Sequence, residues 1–250
     1  MTYRFGRLPH SPEVFSAAPR HLFGAVLPPP VVDRRSVSYI PGLYFNDSLP
    51  DCSAVGLVNA ARAVSALNGF ELNIDPVKIP QFYASVVGCP SDFPSIAKTE
   101  GAILIDVLSK QERTGFNIGN DLLVAAWGTI DPTSRSDLAL AISKFGSVYI
   151  GVSLRERDME TVGHTWSIQP GRDDGNVVGG HCVTIFDYLG LSDSSTVRIG
   201  TWGILQTATW EWVQNRIDES YGLVWRQLAK AESGLFWNGL TADTLFAQLD

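Results

Sequence analysis

Cys52 stands immediately before a stretch of helical periodicity, a position that favours a reactive thiol. Residues 53–67 repeat apolar side chains at intervals of three and four, the pattern of a helix with one buried face. The unpaired N–H groups and the positive dipole end at the first turn of a helix stabilise a thiolate. A thiolate is the nucleophile that covalent acyl transfer needs. Taken alone, however, a cysteine in such a place is more often a small apolar core residue.

His181 is the second candidate, and it follows Gly179-Gly180 at the start of an alternating apolar stretch. The paired glycines allow another chain element to approach closely, and the alternation predicts a strand that His181 opens. A histidine at a sheet edge, facing a cleft, can act as a general base near neutral pH. Alone it is more often structural. Together, Cys52 and His181 predict a thiol hydrolase in which the imidazole activates the sulfur.

These two residues require a helix and a strand that face each other, and the chain is organised to supply both. Apolar periodicity predicts helices at residues 53–67, about 76–86, 102–114 and 136–145. Alternation with β-branched and aromatic residues predicts strands at 147–154, 181–190 and 196–203, then a helix at 210–217 and a strand at 223–228. A helical first half followed by a strand-rich second half predicts an α+β fold with two lobes.

The predicted domain boundaries follow changes in composition. Residues 1–45 are broken by prolines but carry interleaved aromatic and aliphatic residues, so we expect an extended arm packed on the body. Residues 46–228 form the expected catalytic domain, with a helical lobe at about 46–145 and a sheet lobe at about 146–228. Residues 229–250 are expected to be a C-terminal tail.

Composition excludes several classes of function. The net charge of -7 argues against a nucleic-acid partner, because phosphate binding needs a dense basic surface. Three cysteines form no disulfide framework and suit a reducing compartment. No apolar run approaches the ~20 residues of a membrane span, and the first residues lack the apolar run of a secretory signal. We therefore expect a soluble chain made in the cytoplasm, with its final location unassigned.

Three short motifs, in order, resemble those of one enzyme family. The segment 46–52, Asn-Asp-Ser-Leu-Pro-Asp-Cys, is similar to a Gln-Gly-Ser-Leu-Gly-Ser-Cys motif. Gly180-His181 with the apolar strand up to Tyr188 is similar to Gly-His-Ala-Val…Gly-Tyr, and Trp202-Gly203 matches the end of Asn-Ser-Trp-Gly. His181 lies about 130 residues after the cysteine, at the edge of the papain and cathepsin spacing. The chain resembles the papain-like (C1) cysteine peptidases, particularly their bacterial and phage branch.

The resemblance implies a fold, an activity and roles for individual residues. It implies a papain-like two-lobed α+β fold, with Cys52 heading the central helix and His181 on an antiparallel sheet or barrel. It implies hydrolysis of a peptide or isopeptide bond through a Cys–His dyad and an acyl-enzyme. Asn46 stands in the place of the family's oxyanion-hole glutamine, and Trp202 in that of the tryptophan that shields the histidine. A peptide or protein substrate and no cofactor are implied.

The chain departs from the family pattern at three positions. Gly200-Thr201 stands where the family has Asn-Ser, so the residue that orients the histidine is replaced. The Thr201 hydroxyl or the Asp187 carboxylate are the candidates to take over that task. Asn46 carries its amide on a shorter stem than glutamine. Asp51 places an acidic group beside Cys52, which disfavours the thiolate.

Other readings stay open beside the peptidase. These departures are compatible with a papain-like scaffold that has a structural or adaptor role, for example in a phage particle, with the arm and the tail as assembly contacts. A related thiol fold that cleaves peptidoglycan peptides is a third reading. We expect Cys182 to pack in the core, and Cys89 and His164 receive no role. The histidines, including His10 and His21, are too dispersed to predict a metal site.

Overall fold

The computed structural model describes residues 3–20, 23 and 26–248. The arm predicted at residues 1–45 therefore includes six positions outside the described residues, namely 1, 2, 21, 22, 24 and 25, among them His21. The last two residues of the predicted tail, 249 and 250, also lie outside them. No helix among the described residues is long and apolar enough to cross a membrane.

Nine α-helices and one 3-10 turn occur in the described part of the chain. The helices are α1 (Pro12–Ala17), α2 (Cys52–Leu67), α3 (Lys78–Val87), α4 (Phe93–Ile96), α5 (Leu104–Thr114), α6 (Arg135–Phe145), α7 (Glu156–Glu160), α8 (Trp210–Arg216) and α9 (Ala242–Phe246). The 3-10 turn spans Arg226–Leu228.

Six strands form one antiparallel sheet in the order β5-β10-β6-β7-β8-β9, and two short pairs lie outside it. The six are β5 (Ala125–Thr129), β6 (Val148–Arg155), β7 (Val177–Tyr188), β8 (Thr196–Thr201), β9 (Ile204–Thr209) and β10 (Ile217–Trp225). The others are β1 (Arg7–Leu8), β2 (Ala102–Ile103), β3 (Phe116–Asn117) and β4 (Leu122–Leu123). β1 pairs with β2 in parallel, and β3 pairs with β4 antiparallel.

Helix α2 is buried along nearly its whole length, because small and aliphatic residues occupy every side of it. It packs against β6 and β7. The Gly56 carbonyl accepts a hydrogen bond from Thr184, and the Ser53 carbonyl accepts one from Tyr149. A Cβ on Gly56 would lie 2.8 Å from the Cys182 sulfur, so only glycine permits this close approach. These contacts fix the N-terminal turn of α2 against the middle of the sheet.

Arg34 joins the N-terminal arm to the body of the protein. Its buried guanidinium donates hydrogen bonds to the carbonyls of Ile142, Gly146 and Phe186, at the end of α6 and on β7. Burial lowers the pKa of Arg34 to about 10, so the group remains charged at neutral pH. The arm is thus held by satisfied polar contacts on the body.

Asp158 holds the end of the sheet together through three hydrogen bonds. Its buried carboxylate accepts from the Trp212 indole at 2.7 Å and from Arg216 Nε at 2.8 Å. It also accepts from the backbone N–H of Arg155 at 2.8 Å, at the start of α7. One side chain therefore ties α7, α8 and the end of β6.

The long helices and the central strands match the sequence predictions in outline, and the differences are local. Strand β7 begins at Val177, so His181 lies inside the strand and does not open it. Residues 102–103, predicted to start a helix, instead form β2, because they pair with β1. The arm expected to be extended contains α1, which Ser11 caps and Pro12 opens. Residues 226–228, predicted as strand, form the 3-10 turn. Strand β5 lies in the helical half of the sequence but joins the sheet edge, so the two halves are not cleanly separated.

Candidate active site

Cys52 is the first residue of α2, and its side chain is fully buried. The backbone N–H groups of Cys182 and Gly6 lie near its thiol and favour the thiolate. Because Cys182 directly follows His181, the sulfur lies against β7 at the level of the histidine. Burial raises the pKa of the Cys52 thiol to about 12, outweighing the backbone hydrogen bonds that lower it.

His181 lies on β7 opposite Val152 of β6, and its ring is held from two directions. Its Nε2 is 2.7 Å from the Thr201 hydroxyl. The Trp202 ring stacks on it with centroids 4.3 Å apart and planes inclined by 17°. Its Nδ1 is buried and has no hydrogen-bond partner among the residues that the structure describes, so it can accept a proton in the tautomer that carries hydrogen on Nε2. Burial, reinforced by the Arg7 charge, lowers the pKa of His181 to about 3.

Asn46 and Asp51 form a small buried cluster before α2. The Asn46 amide nitrogen donates to the Leu49 carbonyl at 3.1 Å and to Asp51 Oδ1 at 3.3 Å. Both amide hydrogens are therefore used within this loop. Burial raises the pKa of Asp51 well above its usual value, which favours the neutral acid. Asp51 consequently places less negative charge beside Cys52 than its sequence position suggests.

Solved structures identify the architecture that carries this arrangement. Xylellain, a cysteine protease from Xylella fastidiosa, superposes with a TM-score of 0.63 and 15% identity, covering 89% of this chain and 96% of its own. The fold is papain-like. Digestive procathepsin L 3 from Tenebrio molitor larval midgut matches this papain-like fold with a TM-score of 0.57 and 10% identity, covering 82% of this chain and 72% of its own. ProCathepsin B S9 from Trypanosoma congolense superposes with a TM-score of 0.58 and 9% identity, covering 87% of this chain and 85% of its own.

No family model matches the sequence, and no curated protein matches it. The similarity to papain-like proteins is thus found in the backbone fold and not in overall sequence identity. At 15% identity and below, the comparison establishes the fold, as predicted from the three motifs, and leaves the chemistry to be argued from this chain's own residues.

The remaining candidate residues of the sequence have other partners or other surroundings. Asp187 is bound by the Arg198 guanidinium and by the backbone N–H of Arg34. The residue in contact with His181 Nε2 is therefore Thr201. Cys89 is half-buried and His164 is exposed. No group of side chains able to hold a metal ion occurs among the residues that the structure describes.

Residues 3–8, which we call the N-terminal segment, pack over Cys52 and His181, and we call the surface that they cover the cleft. The Gly6 carbonyl accepts a hydrogen bond from Ala102 at 2.9 Å, and β1 continues alongside β2. Phe5 packs its ring edge-on to His181, with centroids 6.4 Å apart. Tyr3 stacks on Trp202 at 4.3 Å. The segment therefore contacts both the histidine and its aromatic neighbour.

Glycines make this close fit possible. A Cβ on Gly6 would lie 1.9 Å from the Pro50 carbonyl oxygen, so no side chain is accommodated there. A Cβ on Gly180 would lie 2.4 Å from the Arg7 carbonyl oxygen, and one on Gly179 would lie 2.6 Å from Phe5. The paired glycines do receive another chain element, but no local pattern predicts that this element is the chain's own N-terminal segment.

Proposed function

We propose that this chain is a cysteine peptidase that hydrolyses peptide or isopeptide bonds, with Cys52 as nucleophile and His181 as base. The observation that carries the proposal is the position of the Cys52 sulfur. It stands at the head of α2, near the backbone N–H of Cys182, the residue that follows His181. The likeness of the fold to cysteine proteases supports the same chemistry. Residues 46–228 form the proposed catalytic domain, and the motif at 46–52 favours the bacterial and phage branch.

The proposed reaction begins with proton transfer from the Cys52 thiol to His181 Nδ1. The thiolate attacks the substrate carbonyl carbon, and the C=O electron pair moves onto oxygen. The Cys52 backbone N–H holds this oxyanion together with the Asn46 amide, which must first turn away from Leu49 and Asp51. Collapse expels the amine, which takes the proton from His181. Water, deprotonated by His181, then attacks the thioester and releases the acid.

The charge states of the closed site fit this sequence of events. With the N-terminal segment in place, the raised pKa of Cys52 and the lowered pKa of His181 favour the neutral thiol and imidazole. Because burial is the largest cause in both cases, admitting water and substrate moves both pKa values towards the thiolate–imidazolium pair. Displacement of the segment and activation of the sulfur are therefore coupled.

Hydrolysis of a quenched-fluorescence peptide library by the full-length protein tests the proposal. A Gly6→Leu variant, whose side chain cannot fit beneath Pro50, serves as the open form. We expect it to cleave peptides and to lose all cleavage when Cys52→Ala is added, whereas Cys89→Ala is the matched control and retains full rate. Absence of cleavage in the folded open form, or cleavage that survives Cys52→Ala, would overturn the proposal.

Thr201 is proposed as the positioning residue that replaces the family's asparagine. In the open form, Thr201→Val removes the hydroxyl from His181 Nε2 while keeping the shape, and we expect kcat to fall ~10- to 100-fold with little change in KM. Thr201→Ser retains the hydroxyl and should restore most of the rate. Steady-state kinetics of the three proteins measure this. Equal kcat in all three would show that the hydroxyl does not orient the base.

A non-catalytic scaffold remains the second candidate, because the segment covers the site and Cys52 is fully buried. Under that reading the N-terminal segment is a permanent structural part, as in a component of a phage particle. The open form then separates the two functions, since a scaffold would show no peptide hydrolysis after Gly6→Leu.

A further inference from the structure

Arg7 is buried in a pocket that carries two carboxylates. Its Nη1 lies 3.1 Å from Glu219 Oε1, and its Nη2 lies 2.6 Å from Asp218 Oδ2. Only 3% of the Arg7 side chain is exposed. We call the space bounded by Gly151, Gly180, Asp218 and Glu219 the acidic pocket. The acidic pocket is filled by Arg7. The preceding residue, Gly6, has its backbone over Cys52.

We propose that the acidic pocket determines specificity, and that it selects a substrate with an arginine side chain beside the residue positioned at Cys52. The proposal rests on the proposed peptidase function and names its substrate class. Arg7 acts as the chain's own occupant of the pocket, and a substrate must replace it.

The shape of the acidic pocket fits a long side chain. Gly151 of β6 lies opposite Glu219 of β10 in the sheet register. A Cβ on Gly151 would lie 2.7 Å from Arg7 Cδ and Nη1, and 2.7 Å from Glu219 Cγ. Glycine at this position therefore opens the path by which a guanidinium reaches the carboxylate. Any other residue there would close the pocket above Glu219.

The charge of the acidic pocket excludes an apolar occupant. Glu219 is fully buried, and Oε1 takes its donor from Arg7. Its other oxygen accepts from the Tyr221 hydroxyl at 2.6 Å and lies 3.0 Å from His10 Nδ1. When Arg7 leaves, an apolar replacement strands Oε1 without a partner, and a buried acceptor left unpaired is costly. A substrate cation restores the lost hydrogen bond.

The geometry also distinguishes arginine from lysine. Asp218 and Glu219 each receive a different terminal nitrogen of the same guanidinium. This arrangement matches the planar fork of arginine, whereas a lysine ammonium is a single point charge on a flexible stem. The predicted order of preference is therefore arginine, then lysine, then apolar residues.

A positional library of fluorogenic peptides, assayed with the full-length Gly6→Leu open form, tests this specificity. At one position we expect kcat/KM for arginine to exceed that for leucine by ~10-fold or more. Glu219→Gln should remove most of this preference. Asp218→Asn, at a partly exposed carboxylate and so a milder change, should reduce the arginine-over-lysine ratio. Asp243→Asn, at an exposed ion pair elsewhere, is the control. Equal rates for arginine and leucine at every position would overturn the proposal.

A binding assay separates this proposal from the peptidase function itself. The synthetic peptide Tyr-Arg-Phe-Gly-Arg-Leu, which copies residues 3–8, is titrated into the open form carrying Cys52→Ala. We expect it to bind at least ~10-fold more tightly than the same peptide with leucine in place of Arg7. This difference should persist even if no peptide is hydrolysed. Equal affinity of the two peptides would overturn the acidic pocket, and failure of hydrolysis alone would overturn only the catalytic role.

Discussion

Gly6→Leu is expected to raise the rate at which iodoacetamide alkylates Cys52 by ~100-fold or more over the wild-type chain. In the closed protein the sulfur has no exposed surface, and burial raises the pKa of its thiol to about 12. A leucine at position 6 cannot be placed, because even its Cβ would lie 1.9 Å from the Pro50 oxygen. The segment must leave, which exposes the sulfur and lowers its pKa. Timed alkylation followed by peptide mass spectrometry measures the rate.

Two internal controls accompany this alkylation experiment. Arg4→Leu adds the same side chain to an exposed position of the N-terminal segment and should leave the Cys52 rate at the wild-type value. Cys89 is half-buried and should react equally in all three proteins. Unchanged alkylation of Cys52 in Gly6→Leu, with a native circular dichroism spectrum, would show that the segment does not protect the sulfur.

Asp158→Ala is expected to lower the free energy of unfolding by about 3–5 kcal/mol, because it removes one of the two carboxylate partners of the buried Arg216, Asp174 being the other, and leaves two further donors unpaired. The same change removes the acceptors of the Trp212 indole and of the Arg155 backbone N–H. Both donors are then left unsatisfied at the junction of α7, α8 and β6. Urea unfolding followed by tryptophan fluorescence measures the loss.

Asp243→Ala is the matched control for this stability measurement. Its partner Arg226 is 61% exposed and Asp243 itself 78% exposed, so the ion pair is screened by solvent. We expect a change within ~0.5 kcal/mol. If the Asp158 and Asp243 variants lost similar amounts, the buried hydrogen bonds of Asp158 would not be what holds this end of the sheet.

The sequence predicted the elements whose patterns are local and strong. Helix α2 is recognised by its apolar periodicity, and its end at Asn68-Gly69 is a usual stop signal. Strands β6, β7 and β8 are recognised by alternation of β-branched and aromatic residues. Strand β5, Ala-Ala-Trp-Gly-Thr, has a weak strand preference and forms because β10 lies beside it. That information is tertiary and is absent from the local sequence.

The residues of the candidate site also fall into those that the local sequence predicts and those that depend on tertiary contacts. Cys52 and His181 were found from their surroundings, and Thr201 was one of two residues considered as replacements for the family's asparagine, the other being Asp187. The roles of these residues remain predictions. The N-terminal segment was not predicted as an occupant of the cleft, because its contacts with Pro50, Ala102 and Gly180 join parts of the chain far apart in sequence. A proline-rich arm signals extended backbone, but not where that backbone docks.

The docking of the segment has a consequence for any ligand measured against the full-length protein. Because Gly6 and Arg7 belong to the same polypeptide as the cleft, they compete at the millimolar effective concentration of a short tether, whatever the dilution of the protein. A free peptide binds only the fraction of molecules in which the N-terminal segment is undocked. Its apparent dissociation constant therefore equals the intrinsic dissociation constant divided by that fraction. Inhibitor rankings obtained on the intact chain therefore keep their order but understate every affinity by one common factor.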